Sequence, residues 1–501
     1  MKGYFRFQTD IFTKKHTKFI KYLDTKYIFP ILCLLLLFRK NLLFYMKKTS
    51  QYLLFLVLFC TSCGLLEQNS PDNIPSDKVF ETADGIRAAR GGMYSLLGNE
   101  NYYGGYYTLA LEAHSDNGST GGYVVESLDE LGQKRLTPAN LFLERIWISI
   151  YATTNAANQI LANIDRNTDL PTAERDNIKG EALFIRALTH FDALKMFGAH
   201  WDNISEYGIP VVLSVQSSAN IVARSTVADA YAAILKDLLE AETLVNSDAS
   251  KGKIYASKNA VKSLLARVYL FNKDKINATK YASEIINSKQ YALFDAVDFP
   301  KLYTGRQTQE SIFELKFDVQ NRSQLNALTY KRDEAPRPEV SFFATKDLNT
   351  FLQSNKNDIR NATIDFKNND ASISPDGRSQ KYRGENLQDN PAYVLRYAEI
   401  LLIAAEAKGF ATGLADLNTL RQKRGLSNLT ATATNTDAKF TEAIANERRA
   451  EFNMEGQRFS DLARFNLVEK VLGKDVKATF PIPLREIQAT KGAIKQYPGY
   501  E

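Results

Sequence analysis

The stretch IKGEALFIRALTHFDALKMFG, Ile178 to Gly198, is apolar on most of its faces and closes on a glycine. Such a segment has no side left for solvent, so it reads as a helix enclosed by other elements, with the glycine in the C′ position. It needs partners, and the rest of the chain supplies them. Ile86, Ala89, Met93 and Leu96 recur at helical spacing, as do Leu143, Ile146, Trp147, Ile150, Ala157 and Leu161. Past Pro210, Ser225 or Thr226 is placed to cap a helix with Val227, Tyr231, Ile234, Leu238 and Ala241 on one face. SKNAVKSLLARVYLFN (Ser257 to Asn272) and INATKYASEIIN (Ile276 to Asn287) read as two helices of similar length joined by a short charged turn. A helix pair of that size is the unit of a tetratricopeptide-like array, here argued from length and pattern without the full repeat signature.

Between about Tyr291 and Asn390 the period changes. SIFELKF (Ser311 to Phe317) alternates like a strand, and NKNDIRNATIDFKNNDASISPDGRS is rich in Asn, Asp and Gly. Together they read as a loop-heavy insert with a little sheet. Helical pattern returns at Tyr393 with YVLRYAEILLIAAEAKG and continues through LADLNTLRQKRG and EAIANERRAEFNMEGQRFSDLARF. The expected fold class is mainly α, a tetratricopeptide-like helix-pair scaffold beside a loop-rich half with minor β content.

The beginning of the chain follows a different logic. Met46-Lys47-Lys48 precedes an apolar run from Tyr52 to Cys60, then the small residues Thr61 and Ser62, then Cys63. That is a basic n-region, an h-region and a small-residue cleavage site. With cysteine directly after the small residues, it resembles a bacterial lipoprotein signal, in which Cys63 is lipidated and becomes the first mature residue. Cys60, where leucine is usual, departs from that pattern. The rival reading of Cys60-Thr-Ser-Cys63 as a redox or zinc site lacks the βαβ context or the second ligand pair it requires. Both this run and the one from Tyr27 to Phe38 are short for a membrane span. The expected organisation is residues 1–45 upstream of a true start at Met46, 46–62 as signal peptide, 63–79 as a polar tether and 80–501 as the folded domain. Its N-terminal part runs to about 290 and its C-terminal part from about 291.

Charge follows from that division. Of the 63 Lys and Arg, 11 precede Cys63, against 2 of the 57 Asp and Glu, so the formal +6 of the whole chain becomes −3 after the leader. The basicity belongs to the leader, and no nucleic-acid partner is implied. Only His114, His190 and His200 follow Cys63, none in HExxH spacing, and GxSxG, P-loop and post-strand GxGxxG motifs are missing from the sequence. No catalytic residue, metal site or cofactor is expected. Glu447, Arg448, Arg449, Glu451, Glu455, Arg458, Asp461 and Arg464 read as an ion-pair lattice, as do Arg396, Glu399 and Glu406.

One stretch points to a ligand. From Asn99 to Arg135, Tyr102, Tyr103, Tyr106, Tyr107 and Tyr123 lie close to Asp116, Asn117 and Arg135, with glycine pairs at 104/105 and 121/122. Aromatic faces against sugar C–H surfaces, with Asp, Asn and Arg reaching hydroxyls, are a common way to build a polar-ligand site. The expected site therefore has Tyr102, Tyr103, Tyr106 and Tyr123 as stacking faces and Asp116, Asn117 and Arg135 as hydrogen-bonding groups. The competing reading packs the tyrosines onto the first helices.

The leader, ALFIRALTHFDALKMFG, IPVV at Ile209 to Val212, AYVLRYAEILLIAAEA, RRAEFNMEGQRFSDLARF, FPIPLREI and terminal YPGY together resemble the SusD/RagB family of Bacteroidota surface lipoproteins, from about Lys78 to Glu501. That resemblance implies four tetratricopeptide-like helix pairs scaffolding a loop-rich ligand-binding half, and a non-catalytic role. It implies a protein held at the outer membrane by its lipid anchor, capturing oligosaccharides and passing them to a SusC-like TonB-dependent transporter. A peptide-capturing RagB-like role is the alternative, with a lipid-anchored glycoside hydrolase and a purely structural adaptor behind it.

Overall fold

The computed structural model describes residues 79–121, 126–217, 221–246, 252–318, 320–330, 341–366, 377–384 and 389–501. The leader, Cys63, the tether to residue 78 and Tyr123 lie outside the described residues. Among the described residues, the helices of eight residues or more are α1 (Ala83–Leu97), α2 (Tyr106–Ala113), α3 (Leu141–Asn163), α4 (Thr172–Phe197), α5 (Val227–Leu244), α6 (Lys258–Phe271), α7 (Lys275–Ser288), α8 (Lys346–Gln353), α9 (Tyr397–Lys408), α10 (Phe410–Lys423) and α11 (Asp437–Glu451).

Local chemistry starts most of these helices where the sequence puts a capping side chain. Thr82, Thr226, Ser257, Asp274, Thr345 and Thr436 each accept a hydrogen bond from the amide three residues on, and Asn140 accepts from the amides of Phe142 and Leu143. Neighbours then pack in series: α1 on α3, α3 on α4, α4 on α5, α6 on α7, and α7 and α10 on α9. Only Asn272, Lys273 and Asp274 separate α6 from α7, and Gly409, at φ 72°, alone separates α9 from α10. These are helix hairpins, and the fold is mainly helical with tetratricopeptide-like pairs.

At the centre runs α4, buried continuously from Gly180 to Phe197. Its polar residues are tolerated because each has a partner. Arg186 holds Asp237 of α5 through two nitrogens at 2.7 Å, Glu181 pairs with Arg90 of α1, and Asp192 pairs with Lys195 at 2.9 Å. At Gly180 the end of α5 comes close, since a Cβ there would lie 2.6 Å from Val245 Cγ2 and 2.9 Å from the Val245 amide nitrogen.

The remaining half is loop-rich. Its strands form two-stranded antiparallel ribbons: Gly118–Thr120 with Phe342–Ala344, Ser311–Leu315 with Ala392–Arg396, and Ile364–Asp365 with Arg378–Ser379.

Four local expectations change. Residues 393–396, read as helix, are strand, because Ala392–Arg396 pairs with Ser311–Leu315 and the helix begins only at Tyr397. The helical pattern through Glu455 breaks after Glu451, where Met454 (φ 60°) and Gly456 (φ 77°) turn the chain toward a separate short helix, Arg458–Arg464. Gly198 is extended (φ −107°) instead of left-handed; a Cβ there would sit 2.6 Å from Leu194 Cδ1, so close packing selects the glycine. The buried residue ending α1 is Leu97, while Leu96 is exposed.

The three histidines of this fold sit in its core. His114 lies between Phe459 and Phe480, His200 against Phe271, and His190 Nε2 accepts from the Val212 amide at 3.0 Å. Burial pushes each imidazole down to about 3. Unfolded histidine titrates near 6.5, so below that pH the unfolded chain takes up protons that the folded chain refuses. Stability is therefore full above about pH 6.5 and is lost as pH falls toward 3. Each histidine contributes a fall in unfolding free energy approaching about 1.4 kcal/mol per pH unit below about pH 6, offset in part by carboxyls such as Glu112 that burial raises. In NMR the three imidazoles are expected not to titrate between pH 7 and 5; a midpoint near 6.5 would contradict the burial.

Candidate ligand-binding site

The glycine-flanked tyrosines divide by burial. Tyr102 is fully buried and Tyr103 is 6% exposed, with both hydroxyls donating to Asp192 Oδ2 at 2.7 Å. Tyr107 packs edge-on against both rings at 5.2 and 5.3 Å. Burial, then the adjacent Asp192 carboxylate, pushes both phenols well above their usual range, so they stay protonated donors. The expectation that Tyr102 and Tyr103 stack on a ligand is corrected, because their ring faces are covered by protein. Gly104 makes the inward turn possible: a Cβ there would lie 2.5 Å from the Gly98 carbonyl oxygen.

Asp116 and Asn117 are also committed internally. Asp116 accepts from Arg458 Nε at 2.7 Å and Nη2 at 2.9 Å, with Arg449 Nη2 at 3.0 Å. Burial alone would raise this carboxyl, but the two arginines hold it below its ordinary value. Asn117 is fully buried, its Oδ1 accepting from Arg449 Nε at 2.9 Å and its carbonyl from the Thr345 amide. Nearby, Glu112 accepts from the amides of Gly456 and Gln457, and burial lifts its carboxyl to about 7. This polar group therefore staples the N-terminal loop to the C-terminal turn, across more than 300 residues, and reaches no ligand surface. The correction concerns Asp116 and Asn117 as hydroxyl-binding groups.

Tyr106 and Arg135 remain accessible. Tyr106 is half-buried on Phe142, ring centroids 4.7 Å apart, and edge-on to Phe342 at 6.3 Å. Arg135 is exposed just beyond the short helix Glu126–Gly132, which packs on the Gly118–Thr120 strand so closely that a Cβ on Gly132 would meet Thr120 Oγ1. On the partner strand, half-buried Phe343 lies against Gly121, its ring 2.7 Å from where a Cβ would stand. Tyr106, through Phe342, and Phe343 are therefore on opposite faces of one small ribbon, and Arg135 follows the short helix packed on it. Phe343 was missed by sequence reasoning, since nothing local marks it as the cross-strand partner of Ser119. Among the described residues, no cluster of three or more His, Cys, Asp or Glu is arranged to hold a metal, and no helix is long and apolar enough to cross a membrane.

Comparison with known proteins matches residues 66–270 to a family model described as starch-binding associating with outer membrane, and residues 367–479 to the SusD family model. SusD-like protein P2 of Formosa agariphila is 23% identical, over 91% of this chain and the whole of that protein. SusD-like protein P25 of the same organism is 24% identical over 87% of this chain and 95% of its own length. Among solved structures, a SusD superfamily protein from Bacteroides thetaiotaomicron superposes with a TM-score of 0.72 at 22% identity, covering 83% of this chain and all of that one. A laminarin-binding SusD-like protein superposes at 0.70 and 23% identity, covering 84% and 100%. At these identities the superpositions speak to the fold.

Two substitutions test the structural assignment of the buried groups. Tyr103→Phe removes a hydrogen bond to a buried charge and is expected to cost about 1.5–3 kcal/mol in urea denaturation. Asp116→Asn leaves buried arginine charge uncompensated and is expected to cost roughly 3–5 kcal/mol. Near-wild-type stability in both would mean that these side chains are free to face a ligand after all.

Proposed function

We propose that this chain, which belongs to the SusD/RagB family, captures oligosaccharides at the cell surface and delivers them to a SusC-like TonB-dependent transporter. The observation that carries the reading is the family match, whose N-terminal model is described as starch-binding and outer-membrane-associating. The laminarin-binding relative of the same fold supports a sugar over a peptide as ligand. Attachment is through lipidated Cys63, and the tether of about 15 residues reaches some 50 Å when extended, enough to let the body hinge over a barrel.

Within this reading the ligand lies against Tyr106 and Tyr123, with Arg135 bonding hydroxyls. Binding proceeds without turnover. Glu112, whose carboxyl burial raises to about 7, is 1% exposed and out of a ligand's reach. Glu451 is held by Arg424, Arg396 and Arg360, and Asp461 by Arg448 and Arg464. A carboxylate held ionised in this way has no proton to give a leaving group.

Cys63→Ala is expected to move the protein from the outer-membrane to the soluble fraction and to abolish acyl labelling; retention of either would remove the anchor from the scheme. Tyr106→Ala is expected to weaken glycan binding by roughly 1–3 kcal/mol in calorimetry, the range for aromatic anchors. Binding of peptides and no glycans would overturn the substrate class. Recovery only as a free monomer from native membranes, with the neighbouring barrel expressed, would overturn delivery.

A further inference from the structure

A cleft of about 380 Å³ opens between α3, the segment Pro210–Ser217 with Val222, and the C-terminal stretch Glu486–Ile494. Its size falls in the range of small-ligand sites. It is separate from the Tyr106 surface. Phe142, which carries Tyr106, and Tyr151, which lines the cleft, are both on α3; nine residues at 3.6 per turn place them on opposite sides of that helix.

The wall formed by the Pro210 segment is rigid for a local reason. Among the described residues its one ladder contact is the bridge from Pro210 to Arg224, and helix side chains satisfy much of its backbone. Tyr151 Oη donates to the Pro210 carbonyl at 3.0 Å, Asn158 Nδ2 to the carbonyls of Val212 and Ser214, and Arg186 Nη1 to that of Leu213. His190 Nε2 accepts from the Val212 amide and Asn155 Oδ1 from that of Gln216. With its backbone anchored on α3 and α4, the segment gives a preformed wall, which lowers the ordering cost of binding.

The lining has two chemistries. Ile148, Ala152, Val212, Ile494 and the Tyr151 ring make an apolar surface, and Ile148 remains 47% exposed at its edge. Asn155, Gln216, Ser217, Thr490 and Glu486 form the polar lining, with Asn155 Oδ1 and the Thr490 hydroxyl already partnered within the protein, and among the described residues no lysine or arginine lines it. A ligand that fits has one apolar face, a perimeter of donors and acceptors, and no negative charge for Glu486 to repel. A neutral pyranose ring has that pattern: C–H groups on its face and hydroxyls at its edge.

We propose that this cleft is a second sugar subsite, taking a neutral hexopyranose unit of an oligosaccharide on the opposite side of α3 from Tyr106. The assignment takes its ligand source from the glycan-capture reading and adds a place that reading does not require.

The chain holds only two tryptophans, Trp147 and Trp201, and Trp147 lines the cleft. In a Trp201→Phe background, with folding checked by circular dichroism, Trp147 emission reports the cleft directly. Titration with maltoheptaose and laminarihexaose is expected to change that emission saturably with at least one of them. Ile148→Arg, at an exposed edge position, is expected to abolish the emission change and, without Trp201→Phe, to weaken the calorimetric affinity at least fivefold. No emission change with either oligosaccharide, or a change that survives Ile148→Arg, overturns the subsite. Calorimetric binding that is lost in Tyr106→Ala and unaffected by Ile148→Arg also overturns it, while leaving glycan capture standing. Absence of any calorimetric binding across a wider glycan panel overturns the capture reading itself.

Discussion

The buried carboxylate of Glu451 is the interaction on which the C-terminal half depends. Arg424 meets it through Nε and Nη2 at 3.0 Å, Arg396 through Nη1 at 3.0 Å, and Arg360 at 3.4 Å. Burial by itself would raise this group, but the three guanidinium groups hold it well below the usual carboxylate range. The cluster spreads outward: Arg424 also binds Glu310, Arg360 binds Asp358 and Glu447, and Arg396 and Lys381 share Glu455. A strand, two helix ends and several loops are thereby fixed relative to one another. Such a network contributes less net stability than its Coulomb energy suggests, because every charge in it is desolvated. It acts more as a specification: removing one member strands a buried charge, so only the arrangement that pairs them all is low in free energy.

The same logic explains how a helix as enclosed as α4 carries Glu181, Arg186, Asp192 and Lys195. Glu181, Arg186 and Asp192 each reach a different neighbour and Lys195 neutralises Asp192 within the helix, so the polar residues fix which element lies where while the apolar ones supply the burial. Arg186 does this twice, binding α5 through Asp237 and the Pro210 segment through the Leu213 carbonyl. The tyrosines of the N-terminal loop join this scheme through Asp192, and Arg449 and Arg458 pull Asp116 into the C-terminal turn. Much of the polar chemistry that looks ready to meet a ligand is consumed in assembly. The two surfaces proposed for ligand, around Tyr106 and in the cleft against α3, rest on elements held by that assembly.

Most of the longer helices, the strand at Ser311–Leu315 and the loop-rich character of residues 291–390 were legible in the sequence, because hydrophobic period, capping residues and turn composition are local properties. The eight-residue helices Tyr106–Ala113 and Lys346–Gln353 were not. The family was legible as well, through motifs spread along most of the chain. The boundary at Tyr397 was not. A strand's place in a ribbon depends on a partner some 80 residues away, and Ala392–Arg396 is as apolar as the helix it precedes.

The site was legible only in part, for a physical reason. Tyr102 and Tyr106 are the same residue type four positions apart beside the same glycines, yet one is fully buried on Asp192 and the other is half-exposed on Phe142. Asp116 looked like a hydroxyl-binding group until Arg449 and Arg458, more than 300 residues later, came to meet it. By itself the sequence determined most of the longer helices, that polar and aromatic groups concentrate between Asn99 and Arg135, and which family the chain resembles. Tertiary structure alone decided which of those groups face inward, because burial and ion pairing are set by partners distant in the chain that no local pattern encodes.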